Sequence, residues 1–255
     1  MVDAEIRQNR FRGKVVVVTG AAGGIGAATA RRFAAEGATL VLVDLPAAAE
    51  KRDAVMRACT ADGAVDVLGL DCDVSRDEDV AAVMKAAMAR FSHVDVVVNV
   101  AGYMAFKLIQ DFSGDEWRRL MDVNFMGAVY FTQEALRVMR PRGAIVNVSS
   151  IHAFQTTARV APYAAAKAAL ASLTRSTAIE GKALGIRANA VAPGAIDTPM
   201  FWTSPNIASG EEKVPDNMLG QPENIAAVVA FLASSDAAFM TGSTVTVDGG
   251  RLSAL

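Results

Sequence analysis

Cysteine is scarce: Cys59 and Cys72 are the only two in 255 residues. Two thiols so far apart exclude a disulfide framework and a four-ligand zinc site. Both read as reduced, small apolar residues buried in an intracellular protein, and no metal is expected. An excess of one charge is also missing, since 25 Lys and Arg face 27 Asp and Glu for a net charge of −2. Such a balance supplies no field for holding nucleic acid, and no nucleic-acid partner is expected. Lys, Asp, Asn or Gly interrupts each apolar run before the ~18 residues of a membrane span. Residues 1–14 lack the apolar core of a secretion signal. The expectation is a soluble, cytoplasmic protein without a membrane partner. Repeats, low-complexity tracts and Pro/Ser-rich linkers are absent too, which leaves one domain across 1–255.

What is abundant is apolar: 52% of residues are hydrophobic and 20% charged, too apolar for a disordered chain. Short Val/Ile-rich runs at 14–19, 39–44, 65–71, 94–99, 144–149, 186–191 and 244–247 read as buried strands. Between them, apolar residues recur at helical spacing over 24–36, 47–61, 76–90, 115–140, 162–184 and 222–234. Near-continuous apolar strands alternating with helices predict a parallel sheet covered on both faces, a doubly wound α/β fold. Ser75 before Glu78 and Ser113 before Glu116 have capping-box spacing. Pro46 and Pro222 suit first helical positions. Segment 199–220 has no period and is broken around Pro205, Pro215 and Asn217. A stretch this long reads as a substrate loop or lid.

The first strand runs into Thr19-Gly20-Ala21-Ala22-Gly23-Gly24-Ile25-Gly26 and then a helix. Glycines there let the chain turn sharply and bring backbone N–H groups and a helix N-terminus to a pyrophosphate. The order strand, glycine turn, helix, strand raises this from a tight turn to a dinucleotide site. Asp44 ends the second strand, 24 residues after Gly20. Its carboxylate can accept from both adenosine ribose hydroxyls and would repel a 2′-phosphate. No Arg or Lys lies within 21–26 or directly after Asp44, so NAD is expected over NADP.

Tyr163 and Lys167, four apart on an alanine-rich helix, can face one cleft. A cation near a phenol lowers its pKa and suits it to proton transfer. Ser150 ends a strand thirteen residues upstream, where ligands sit in open α/β sheets, and can bond a substrate oxygen. Asn124 lies within the long helix as a mediocre helix former that could hold a proton-passing water. With a dinucleotide turn, this set suggests hydride transfer between an alcohol carbon and nicotinamide.

From Lys14 to Gly250 the chain resembles the short-chain dehydrogenase/reductase family. Thr19-Gly20-x-x-x-Gly24-Ile25-Gly26 is similar to its cofactor turn and Asp73-Val74 to its adenine contact. Asn99-Val100-Ala101-Gly102 resembles its Asn-Asn-Ala-Gly strand end. Asn124-x-x-Gly127, Ser150, Tyr163 and Lys167 match its catalytic tetrad, and Asn189-x-Val191-x-Pro193-Gly194 with Thr198 resembles its nicotinamide segment. The resemblance implies Tyr163 as acid/base, Lys167 on the nicotinamide ribose, Ser150 on the reacting oxygen and Asn124 supporting a water relay. It also implies cofactor contacts at Leu45 and Ile196, a seven-stranded Rossmann sheet ordered 3-2-1-4-5-6-7, and a homotetramer pairing helices 115–140 and 162–184. Val100 in place of the second Asn and Ala166 in place of a common Ser are departures that remove no catalytic group.

For substrate, His152 and Gln155 are polar candidates near Ser150, and Tyr103, Met104, Phe201 and Trp202 are candidate walls. Arg159 could meet an anion, whereas His93 reads as structural. A mixed pocket suits a polyol, sugar or hydroxylated ring, so the expected activity is an NAD-dependent secondary-alcohol dehydrogenase. An NADPH-type carbonyl or 3-oxoacyl reductase is the alternative, and a non-catalytic dinucleotide sensor a remote one.

Overall fold

The structure is a computed structural model that describes residues 8–210 and 212–254. Seven strands form one parallel sheet: β1 (Val15–Thr19), β2 (Thr39–Asp44), β3 (Asp66–Asp71), β4 (Val96–Asn99), β5 (Ala144–Val148), β6 (Arg187–Pro193) and β7 (Thr244–Val247). Their order is 3-2-1-4-5-6-7, as the family resemblance implies. Consecutive side chains of a strand point to opposite faces, and both faces are apolar here. Val16, Val18, Leu40 and Leu42 enter a core shared with Phe33, Ile225 and Val229. Val15, Val17, Val41 and Val43 enter a second core with Val80, Val83 and Phe131.

The helices that cover these faces are α1 (Gly24–Ala35), α2 (Ala49–Asp62), α3 (Asp77–Phe91), α4 (Gly114–Met121), α5 (Gly127–Val138), α6 (Ala161–Gly181) and α9 (Pro222–Ala233). Pro222 is the first residue of α9, while Pro46 opens a short 3-10 turn, Pro46–Ala48, that leads into α2. Ser113 caps α4 in a reciprocal box with Glu116. The box expected at Ser75 does not form, because α3 starts one residue later, after Arg76. The Ser75 hydroxyl bonds the Asp73 carboxylate instead, and Arg119 holds both.

Two other expectations change. The continuous helix over 115–140 is α4 and α5 joined by a π turn, Asp122–Met126. Segment 199–220 is not shapeless, since it holds the one-turn helices α7 (Pro199–Trp202) and α8 (Pro205–Ala208) and a 3-10 turn, Asp216–Met218. Their prolines sit at first-turn positions, where a missing N–H costs nothing. A final turn, α10 (Arg251–Ala254), follows β7. Among the described residues no helix is long and apolar enough to cross a membrane. Cys59 and Cys72 are both buried and unpaired, and burial pushes each thiol up to about 12.

Candidate active site

The strand order reverses direction between β1 and β4, and in such sheets the crevice at the carboxyl ends of the strands takes ligands. A cleft of about 350 Å³ opens there. Its first wall is the glycine turn. Gly20 has φ +64°, a left-handed conformation that glycine adopts without strain. A Cβ on Gly26 would lie 2.0 Å from the Gly20 carbonyl oxygen, so only a bare Cα lets α1 fold this closely onto β1. No side chain caps α1 at Gly23, and a Cβ there would meet nothing within 4 Å. The first N–H groups of α1 and the positive end of its dipole therefore front open space, which fits a pyrophosphate.

Two side chains brace this wall. The Thr19 hydroxyl accepts from Val100 N at 3.0 Å and Ala101 N at 3.1 Å, tying the ends of β1 and β4 together. The Asp44 carboxylate accepts from Ala22 N and from its own neighbour Leu45 N, each at 2.8 Å. Asp44 is thus fixed beside the turn with acceptor capacity left on each oxygen. Asp73 lies further along, where Ser75 and Arg119 hold its carboxyl below the ordinary carboxylate value against the cost of burial. Val74 is buried against Gly127.

The buried Asn99 side chain donates to Asn147 at 2.8 Å, which donates in turn to Thr174. Asn124 sits in the π turn, a device that re-aims a side chain within a helix. Its Nδ2 donates to Tyr103 O and Leu120 O, both at 3.0 Å, and its Oδ1 accepts from Tyr103 N at 3.2 Å. Asn124 therefore anchors the chain after β4 and keeps one Oδ1 lone pair for a water.

At the end of β5, Ser150 meets α6. Ser150, Tyr163 and Lys167 are 6%, 7% and 3% exposed and line one cleft. Ser150 pulls the Tyr163 phenol pKa down, and its Oγ accepts from His152 N at 3.2 Å. The Lys167 ammonium donates to Val148 O at 2.8 Å and lies 5.5 Å from the Tyr163 ring centroid. The expected lowering of the phenol pKa by Lys167 is overridden in the protein alone. Burial pushes Tyr163 up to about 12, against a downward pull from Ser150. Burial also pushes Lys167 down to about 8. Both groups are stripped of water, and each is held towards its neutral form.

Pro193, Gly194, Ile196 and Thr198, with Ala101 and Gly102, complete the inner cleft. At the mouth stand His152, Met104 and Phe201. His152 lies edge-on to Tyr163 with centroids 6.0 Å apart and its Nδ1 is 3.1 Å from Thr156 Oγ1. Its imidazole is held below the ordinary value by burial, while Glu212 raises it and Arg251 lowers it. Trp202, expected as a wall, is 57% exposed and outside the cleft, its indole donating to Asp197 at 2.7 Å. Tyr103, Gln155 and Arg159 also lie outside the inner cleft, and His93 sits 3.3 Å from Asp95, remote from it. Sequence reasoning missed Phe106, Val160, Ile207, Glu212 and Arg251, which line the mouth. No spacing rule marks them, because they come from short turns brought together only by the fold.

A doubly wound sheet with a glycine cradle and a Ser-Tyr-Lys floor defines a dinucleotide-dependent oxidoreductase cleft. The profile of the family described as enoyl-(acyl carrier protein) reductase matches residues 20–251. The chain belongs to the short-chain dehydrogenase/reductase family, enzymes that bind a nicotinamide dinucleotide and act on alcohols and ketones. It is 43% identical to the cis-4-hydroxycyclohexanecarboxylate dehydrogenase of Sinomonas cyclohexanicum over 94% of this chain and 97% of that one. It is 40% identical to 3beta-hydroxysteroid dehydrogenase 1 of Eggerthella lenta, with 94% of each covered. A short-chain dehydrogenase from Burkholderia cenocepacia J2315, solved in complex with NADP, superposes with TM-score 0.89 at 30% identity over 96% of this chain and 100% of that one. One longer relative, an uncharacterized short-chain type dehydrogenase/reductase of Sinorhizobium fredii, is matched over 44% of its length.

Proposed function

We propose that this enzyme is an NAD-dependent secondary-alcohol dehydrogenase acting on a hydroxyl carried by a ring. The observation that carries the reading is the meeting of Ser150, Tyr163 and Lys167 with the glycine turn in one cleft. The walls at Met104, Phe106, Val160, Phe201 and Ile207 are apolar and favour a compact ring over an extended polyol. The names of the Sinomonas and Eggerthella relatives both denote dehydrogenases of ring-borne hydroxyls.

Gly20, Gly24, Ile25 and Gly26 would hold the pyrophosphate, and Asp44 with Leu45 the adenosine ribose. Asp73, Val74 and Asn99 shape the adenine side, Ala101 and Gly102 the central face, and Pro193, Gly194, Ile196 and Thr198 the nicotinamide side. When bound, NAD supplies the hydride acceptor. Ser150 donates to the substrate oxygen, and Tyr163 exchanges the hydroxyl proton with it. Lys167 supplies a positive charge beside the phenol, which favours the phenolate against the cost of burial. Asn124 keeps a water within reach through its free Oδ1 lone pair. One catalytic domain with 199–220 as its substrate loop, assembled as a homotetramer, completes the proposal. Ile179, 76% exposed on α6, is an apolar residue that such an assembly would cover.

NADP is the second reading, since the Burkholderia structure holds it. The fixed Asp44 carboxylate beside the turn opposes a 2′-phosphate by direct repulsion. The test follows the nicotinamide absorbance band with NAD and NADP over cyclic alcohols, polyols, sugars and hydroxy acids. Turnover with NAD on cyclic alcohols is the expected result. Turnover with NADP on acyl ketones would replace it with the reductase reading.

A further inference from the structure

The reaction as described leaves one feature of the cleft mouth unused. Arg251 of α10 bonds Glu212 of the substrate loop through Nη2 and Oε1, with side chains only 9% and 16% exposed. Both line the cleft that holds Ser150 and Tyr163, and both line a second cavity of about 470 Å³ beside it. That cavity also takes in Thr157, Arg159, Asn206 and Lys213. Thr157 Oγ1 and Asn206 Oδ1 are buried without a hydrogen-bond partner, although Asn206 is 3% exposed and its Nδ2 donates to Ala158 O. The charges reach inward, since Glu212 raises and Arg251 lowers the proton affinity of His152.

A guanidinium withdrawn from water costs free energy that a single carboxylate contact does not recover. It offers five N–H donors in a planar fork suited to a carboxylate, and Glu212 engages it from the connection that follows α8. Unpaired hydroxyl and amide groups alongside are the polar partners that a bound group would satisfy.

We propose that Arg251 receives a carboxylate or similar anionic group borne by the substrate, and that Glu212 is a resident carboxylate that holds this position until the substrate displaces it. The inference rests on the ring-alcohol reading and narrows it to hydroxylated rings bearing an acid. It makes Arg251 a specificity determinant and the Arg251–Glu212 pair an exchange site.

The test is calorimetric binding of cyclohexanecarboxylate and its neutral carboxamide to the full chain with NADH present. Arg251→Gln should weaken the carboxylate at least about tenfold and leave the carboxamide within about twofold. Glu212→Gln should act in the opposite direction, tightening the carboxylate several-fold, because the competing charge is gone. Parallel changes for both probes in both variants would show a latch on the loop and overturn the proposal. So would failure of the carboxylate to bind the unsubstituted chain at millimolar concentration. Melting temperatures check folding, and if Arg251→Gln fails to fold, the opposite sign expected of Glu212→Gln still decides. Binding is read without turnover, so a chain that takes the carboxylate but oxidises no ring alcohol would lose the proposed activity and keep this site.

Discussion

The floor and the mouth of the cleft are built from different material. Ser150 follows a buried strand, and Tyr163 and Lys167 ride a 21-residue helix packed against the sheet. His152, Phe201, Ile207, Glu212 and Arg251 come from 3-10 turns, one-turn helices and connections around them. Groups that move a proton must be held within fractions of an ångström, and regular elements do that. Groups that choose a substrate gain from loops that tolerate change. Substitutions in the floor should therefore act on the rate of the chemical step, and substitutions in the mouth on substrate affinity.

The sharpest way to break this division is at Tyr163. Tyr163→Phe should lower kcat/KM by roughly 10³-fold through loss of proton transfer. Dinucleotide affinity and melting temperature should stay near those of the unsubstituted enzyme, since the ring still fills its place. A loss of only a few-fold on the best substrate would remove Tyr163 from the floor chemistry.

Lys167 sharpens the same contrast, because its charge is retained at a cost to the fold. Its pKa falls from about 10.5 in the unfolded chain to about 8 when folded. The unfolded state then binds more protons between those values, so stability rises with pH across that window and the full penalty applies below it. Lys167→Met should lower kcat/KM roughly 10²-fold. It should also raise the stability of the dinucleotide-free protein by about 1–2 kcal/mol near pH 7, after allowing for the lost bond to Val148 O. Thermal melts from pH 7 to 10 should show that advantage shrinking as pH climbs. An advantage that grows with pH would contradict the burial argument.

Asp44 tests the opposite wall, which the glycine turn builds mostly from backbone. Asp44→Ala removes the negative charge and the acceptor for Ala22 N. The ratio of kcat/KM for NADP to that for NAD should rise roughly 10–100-fold, measured on one substrate. An unchanged ratio would remove the ground for proposing NAD over NADP.

The sheet and the floor were legible because each rests on a local rule. Parallel strands buried on both faces must be largely apolar, which set 39–44 to the residue; 244–247 matched as closely, although this edge strand alternates Thr with Val and is only half-buried. A glycine turn between strand and helix has few other uses, and Tyr163 and Lys167 share a helix face at any orientation. What could not be read depends on the register of distant segments. The π turn at Asn124 has no sequence period of its own, since the apolar pattern on either side stays helical. Ser75 has capping spacing, yet Asp73 and Arg119 outbid the helix for its hydroxyl. The Arg251–Glu212 contact joins residues 39 apart through turns at both ends. For Trp202 the error was of direction: an aromatic in a substrate loop was expected inward, but its N–H found Asp197 on the outside.

The smallest expected effects set the boundary of the mouth itself. His152→Ala removes a ring that stacks edge-on with Tyr163 inside the cleft, so KM should rise about three- to tenfold with kcat and melting temperature little changed. Trp202→Phe keeps an aromatic against Phe201, whose ring lies 4.9 Å away centroid to centroid, and removes only the donor to Asp197. That partly exposed bond is worth about 1 kcal/mol or less, so stability should slip slightly and both kinetic constants should stay within about twofold. The two residues bracket the wall of the cleft, one inside it and one just beyond. If Trp202→Phe instead raised KM as much as His152→Ala, the indole must turn inward when substrate arrives. The mouth would then extend through the whole of α7, with Asp197 acting as its open-state tether.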